Sequence, residues 1–218
     1  MLTIIIPALN AGTSLGACLV AIDGADEIVL VDGGSTDASA TIAAQAGARV
    51  IAATRGRGSQ LHSGAQEARG DWLLFLHADT RLGAGWRDAV DAHVATAPDR
   101  AGYFDLSLDD QAWQARVIER GVALRVRLLG LPYGDQGLLI SRRLYDDVGG
   151  FRPLALMEDV DLARRLGRNR LRRLDATALT SADRWRRDGW LRRSTRNLAC
   201  LALYALGVGP TRLARFYR

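Results

Sequence analysis

The chain has 218 residues, 48% of them hydrophobic and 24% charged, with a formal net charge of +5. That balance excludes a disordered or collagen-like chain, and the length predicts one globular domain, alone or with a small appendage, with a single good core. Cys18 and Cys200 stand far apart, which excludes a disulfide framework or zinc knuckle and predicts a reducing, cytoplasmic setting.

The apolar run at residues 2–7 ends at Pro7 and the turn signal Asn10-Ala11-Gly12, so it reads as a strand and not as a signal peptide. Residues 13–22 have a helical pattern with Thr13 or Ser14 as cap. A second strand at residues 27–31 ends in Asp32-Gly33-Gly34, and Ser35 or Thr36 caps a helix that Gly47 stops. Residues 49–53 form a third strand, followed by the glycine-rich Arg55-Gly56-Arg57-Gly58-Ser59 and a helix to residue 69. The fully apolar run at residues 72–76 is a fourth strand. Strands alternating with helices need crossover connections, hence an α/β fold with a mostly parallel sheet flanked by helices. In such sheets ligands bind at the carboxyl ends of the strands. The crevice should therefore lie at residues 7–10, 32–37, 55–60 and 77–81.

Beyond residue 100 the pattern predicts a strand at 103–106, a basic-apolar helix at 111–129, a strand at 138–141 and a helix at 158–168. An Arg-rich, mostly helical region follows from Trp185. The longest apolar stretch, residues 198–209, has 12 residues. A membrane span needs about 20.

No G-x-G-x-x-G follows the first strand, and a chain without lysine cannot complete a P-loop. The histidines His62, His77 and His93 are scattered, and no zinc motif is present. These absences set aside most dehydrogenase, NTPase and zinc-hydrolase readings. Carboxylates remain where a nucleotide would sit. Asp32 can accept from a base N–H or a ribose hydroxyl, or simply close its own turn. Asp79, just past a buried strand, suits a divalent cation held partly by phosphates, or again a turn. Arg55 and Arg57 can meet a diphosphate bidentately or remain solvated.

Four segments in order, Ile4-Ile5-Ile6-Pro7-Ala8-Leu9-Asn10, Val31-Asp32-Gly33-Gly34-Ser35-Thr36-Asp37, Leu76-His77-Ala78-Asp79 and Met157-Glu158-Asp159, resemble the family 2 glycosyltransferases. Arg55 to Gln60, Phe75 to Arg81 and Tyr133-Gly134-Asp135-Gln136-Gly137 look like a small bacterial subgroup associated with radical-SAM and selenium-related genes. The resemblance implies a GT-A, Rossmann-like fold: a mixed, mostly parallel sheet flanked by helices, with a basic helical region at the carboxyl end. It implies a single domain, with residues 1–100 as the nucleotide-sugar half, 101–180 as the acceptor half and 181–218 as the basic tail. Pro7, Ala8, Asn10, Asp32, Arg57, Gln60 and Ala78 are then the nucleotide-sugar contacts, with Gly33 where the family has a second aspartate. Asp79 matches the metal-binding carboxylate for Mn²⁺ or Mg²⁺, with His77 in place of the first acid of the Asp-x-Asp signature. Asp159 matches the catalytic base of inverting members, with Glu158 beside it at the positive end of a helix dipole. Asp135, Gln136, Arg184 and Trp185 fall on the acceptor side. Arg184-Trp185 resembles the end of the Q-x-x-R-W motif of processive relatives, whose beginning is replaced here by Ser181-Ala182-Asp183.

The expected activity is metal-dependent, inverting sugar transfer from a nucleotide-diphospho-sugar. The alternatives are a nucleotidyltransferase and a non-catalytic nucleotide-sugar-binding protein. Residues 1–110 carry 7 Arg against 14 acidic residues, whereas residues 111–218 carry 22 Arg against 10. The tail interleaves Arg186, Arg187, Arg192, Arg193, Arg196, Arg212, Arg215 and Arg218 with Trp190, Leu198, Leu201, Leu203, Tyr204 and Leu206. That pattern predicts an anionic membrane surface and a lipid-linked acceptor, with a peripheral place on the inner face of the cell membrane. A solvated basic face is the plain alternative, and no nucleic-acid partner is expected.

Overall fold

The computed structural model describes residues 1–217, so Arg218 lies outside the described residues. One eight-stranded sheet runs through the chain in the order β3-β2-β1-β4-β7-β6-β8-β5. β1 (Leu2–Ala8) pairs parallel with β2 (Glu27–Asp32) and β4 (Trp72–Phe75), and β2 pairs parallel with β3 (Arg49–Ala52). β7 (Leu138–Ser141) joins antiparallel to β4 and to β6 (Ala101–Leu108). β8 (Leu171–Thr180) runs parallel to β6, and the short β5 (Thr80–Leu82) pairs antiparallel with β8 at the edge.

Alternation along the strands divides the core. Ile4, Ile6, Leu30 and Leu74 face α1 (Gly12–Val20), α2 (Ser39–Gln45) and α4 (Trp86–Thr96). Ile5, Val29, Val31, Leu73 and Phe75 face α3 (Arg57–Glu67), α6 (Arg142–Asp147) and α7 (Glu158–Leu166). Strands buried on both faces read as unbroken apolar runs, as β1 and β4 do. Helix α3 lies so close to the sheet that a Cβ on Gly64 would stand 2.4 Å from Ile5 and 2.8 Å from Val31.

The expected carboxyl-terminal helices are α8 (Asp183–Asp188), α9 (Trp190–Ala205) and α10 (Pro210–Tyr217). They are not an appendage: Cys200, Leu201 and Leu213 share an apolar cluster with Met157, Val160 and Ala163. Trp185 packs with Leu106, Leu108 and Ala115 of β6 and α5 (Trp113–Leu129). Among the described residues, no helix is long and apolar enough to cross a membrane.

Local starts differ from the sequence expectations. Neither Thr13 nor Ser14 caps α1, whose N-cap is Ala11, and α2 begins at Ser39 instead of near Ser35. Ser35 donates its backbone N–H and its hydroxyl to Asp32, and Ser39 is held by Asp37. These side-chain bonds keep the segment between them in turns, the local competition with helix that Ser and Asp set up.

Candidate active site

Two adjoining cavities open at the carboxyl edge of the parallel strands. The outer one, about 410 Å³, is lined by the end of β1 (Pro7, Ala8, Asn10), the glycine-rich loop (Arg55, Arg57, Gln60) and the end of β4 (His77, Ala78, Asp79). The inner one, about 100 Å³, is lined by Asp135, Asp159 and Trp185 among others. Arg57, His77, Asp79 and Arg184 border both. Most residues expected from the sequence therefore meet here.

The outer rim is braced by its own loops. Gln60 is buried, and its amide donates to the Ala8 carbonyl at 2.9 Å and the Val31 carbonyl at 2.8 Å, tying the ends of β1 and β2. A Cβ on Gly33 would stand 3.1 Å from that amide, which accounts for glycine at this position. Asn10 has φ of +52° and accepts from the Thr36 N–H at 2.9 Å. Met157, with φ of +66°, precedes α7 in the inner cavity. Among the described residues these two are the only non-glycines with positive φ, and such backbone strain clusters at functional sites.

Four expectations change. Asp32 does not line either cavity; its carboxylate is engaged by Ser35. Glu158, expected to be catalytic, is only 1% exposed and forms a buried ion pair with Arg57. Burial pushes its carboxyl up, against the lowering effect of Arg57. It is a positioning residue for that guanidinium. Gln136 is buried away from the inner cavity, donating to the Phe104 carbonyl at 3.1 Å. His77, expected beside Asp79 as a metal ligand, turns Nε2 toward Arg57 Nη1 at 3.4 Å. It also lies against Gly134, where a Cβ would stand 2.5 Å from that nitrogen. Burial, then the charges of Arg57 and Arg184, hold its imidazole well below the usual histidine range, so the neutral ring accepts from Arg57.

Asp159 has both oxygens anchored: Oδ1 accepts from the Val160 N–H at 2.8 Å and Oδ2 from the Gly134 N–H at 2.9 Å. Each oxygen keeps a second lone pair. Asp135 has a buried Oδ1 without a hydrogen-bond partner. Burial, aided by Asp159 and Asp79, raises its carboxyl to about 6. Asp79 lines both cavities and takes part in none of the ion pairs among the described residues. No set of three or more His, Cys, Asp and Glu side chains among the described residues forms a metal cage. An unpaired aspartate and an orphaned carboxylate oxygen beside a diphosphate-sized cleft nevertheless fit Mg²⁺ or Mn²⁺, hard cations that take one or two carboxylates and complete their shell with phosphate and water.

The sequence reading missed Tyr133, Arg193, Asn197 and Tyr217 as part of the inner cavity. Arg193 and its neighbours carried a signal, the alternation of arginine with aromatics, which was assigned to a membrane face.

A mixed sheet that presents the ends of its parallel strands to such a cleft is the GT-A form of the nucleotide-binding α/β fold. Residues 3–87 match the model of Glycosyl transferase family 2. The chain is 39% identical over 84 residues to an uncharacterized glycosyltransferase of Mycobacterium tuberculosis, a match covering 38% of each chain. It is 43% identical over 93 residues to a PGL/p-HBAD biosynthesis glycosyltransferase of the same species, covering 38% of this chain and 36% of the relative. The matches thus span less than two fifths of the length of these curated relatives. Among solved structures, S. aureus TarS 1–349 in complex with UDP-GlcNAc has a TM-score of 0.65 at 15% identity, covering 83% of this chain and 58% of that one. Glucosyl-3-phosphoglycerate synthase of M. tuberculosis, with Mn²⁺, UDP and glucosyl-3-phosphoglycerate, has a TM-score of 0.58 at 19% identity, covering 83% and 70%. These likenesses show the shared fold.

Proposed function

We propose that the protein transfers a sugar from a nucleotide-diphospho-sugar to an acceptor hydroxyl, with inversion at the transferred carbon. The observation that carries this reading is the junction of the two cavities. A cleft walled by Pro7, Ala8 and Asn10 meets, along Asp79, an inner chamber that holds the anchored carboxylate of Asp159. Asp159 would take the acceptor's proton as that oxygen attacks the anomeric carbon and the bond to the diphosphate breaks. Arg57, aimed by Glu158 and His77, and Arg184 face the departing charge. Asp79, with Asp135 as a second oxygen source, would hold Mn²⁺ or Mg²⁺, which when bound neutralises the diphosphate.

Membrane proximity fits the outer surface. Trp113, Val117, Leu124 and Leu128 of α5 are exposed, and at 100° per residue they fall within about 60° of one another. Arg120 stands in the same stripe, while Leu191, Leu198 and Leu206 are exposed on or beside α9. Apolar stripes beside arginines suit a helix lying in an anionic interface. Arg193 is buried, and Arg193 and Arg196 both turn to Asp188, so these two belong to the interior and not to that face.

The test is transfer of isotope-labelled sugar from UDP-, GDP- and dTDP-sugars with Mn²⁺. The reading predicts release of the nucleoside diphosphate matched by label on an acceptor. Tight binding of every donor without turnover would identify a binding protein instead.

A further inference from the structure

The wall of the inner chamber built by α8 and α9 carries polar atoms with nothing to bond. Trp185 Nε1, Arg193 Nε and Asn197 Oδ1 are buried without hydrogen-bond partners, and all three side chains line that chamber. Arg193 is 5% exposed. A buried polar group left unpaired is destabilising, so a wall with several of them is arranged for a polar occupant.

Charge identifies the occupant. The chamber continues into a recess of about 430 Å³ formed by Arg184, Arg187, Arg192, Arg193 and Arg196 around Asp188, with Tyr217 at its side. Arg184, Arg193 and Tyr217 belong to both spaces. Asp188 is the one carboxylate of the recess, and it serves Arg187 at 2.9 Å, Arg193 at 2.8 Å and Arg196 at 3.0 Å. Arg184 and Arg192 are exposed and take no part in the recess's ion pairs, which join Arg187, Arg193 and Arg196 to Asp188. Five guanidiniums against one carboxylate leave a formal excess of four positive charges in one recess. Asp79, Asp135 and Asp159 belong to the chamber and not to this recess, so the acidic and basic linings are separate. A phosphate monoester or diester fits the basic end: its oxygens match the planar forks of several arginines, which bind phosphate bidentately.

We infer that this recess is an anion subsite for the acceptor, and that the acceptor is a phosphate-bearing alcohol whose phosphate docks on the arginines of α8 and α9 while its hydroxyl reaches Asp159. This rests on the glycosyltransferase reading above and adds the chemical class of the acceptor. The phosphate belongs either to a soluble phosphoester or to a lipid headgroup.

Calorimetry with inorganic phosphate against the full chain, at constant ionic strength set by chloride, reads the subsite directly. Arg187 and Arg192 are exposed, so the double variant Arg187→Gln/Arg192→Gln should fold normally. Phosphate is expected to bind the wild type, and the double variant to bind it about tenfold or more weakly, the worth of one lost charge-assisted contact. Donor affinity, measured in the same samples with UDP-sugar and Mn²⁺, should stay within a factor of two or so of wild type, because neither arginine lines the outer cleft. Sedimentation with phosphatidylcholine vesicles containing phosphatidic acid separates the sources. Binding that inorganic phosphate displaces supports a lipid phosphate, and phosphate binding without vesicle binding supports a soluble phosphoester. No phosphate binding by wild type, or equal binding by the double variant, overturns the inference. So does a loss of donor affinity in the double variant, which would give the recess to the donor's diphosphate. A protein that binds phosphate but no nucleotide-sugar would instead defeat the underlying reading of the activity.

Discussion

Replacing Glu158 by Gln separates a residue that aims a charge from one that moves a proton. The Glu158 side chain is 2% exposed and its Arg57 partner 35% exposed. Breaking a fully buried ion pair costs about 3–5 kcal/mol. Two features reduce that here. Water reaches Arg57 from the cleft, and burial already pushes the Glu158 carboxyl up, so a neutral amide recovers part of the desolvation cost. A net loss of about 2 kcal/mol follows, which for a domain of this size lowers Tm by about 4–8 °C. The functional effect runs through Arg57, which borders both cavities. Donor affinity should fall by about tenfold, the worth of one misplaced charge-assisted contact, and kcat should fall by a comparable factor because Arg57 also faces the departing charge. Glu158→Asp, which keeps the charge, should recover part of both losses. Urea melts, calorimetry with donor and a pH–rate profile read these separately, and the profile should keep its base-dependent limb. If Glu158→Gln abolished turnover with stability and donor affinity unchanged, Glu158 would be the base and the positioning argument would fail.

Asp159→Asn should cut kcat by about 10²–10⁴ with donor affinity nearly intact, as judged by single-turnover kinetics beside calorimetry. Gly64→Ala should cost about 1–3 kcal/mol in urea unfolding, because its Cβ would lie 2.4 Å from Ile5 on the sheet. Hydrogen bonding from Arg187, then from Arg193, lowers the Asp188 carboxyl to about 2. A depressed carboxyl contributes stability above the unfolded value and loses it as pH falls through the folded one. Wild type should therefore exceed Asp188→Asn in stability at pH 7, and acid titration should erase the difference between about pH 4 and pH 2.

The parallel half of the sheet was legible because its strands are buried on both faces and bounded by glycine-rich turns. β8 was not. Its first residues include the exposed Arg172 and Arg173, and only from Leu174 onward do inward and outward positions alternate, through small Ala and Thr side chains. β5 has three residues and exists because β8 pairs with it, a tertiary fact that no local pattern carries. In the inner cavity, Asp79 and Asp159 stand in motifs at strand and helix ends. The roles of Glu158, Gln60 and His77 required knowing what lies opposite them: Arg57, two strand-end carbonyls and Gly134. The basic tail was read as an outward surface because spacing cannot show that Arg193 and Arg196 fold inward on Asp188.

Titration of nucleotide-diphospho-sugars into wild type and Asp79→Asn, with Mn²⁺ and then with chelator, asks whether Asp79 carries the metal that holds the donor. Asp79 borders both cavities, and an amide is a poor ligand for a hard cation among phosphate oxygens. Donor should bind wild type only with Mn²⁺ and should fail to bind Asp79→Asn, with both proteins melting alike in the absence of ligand. Equal donor affinity in the two proteins with Mn²⁺ present, or binding by wild type that chelator leaves untouched, would remove Asp79 and the metal from donor binding.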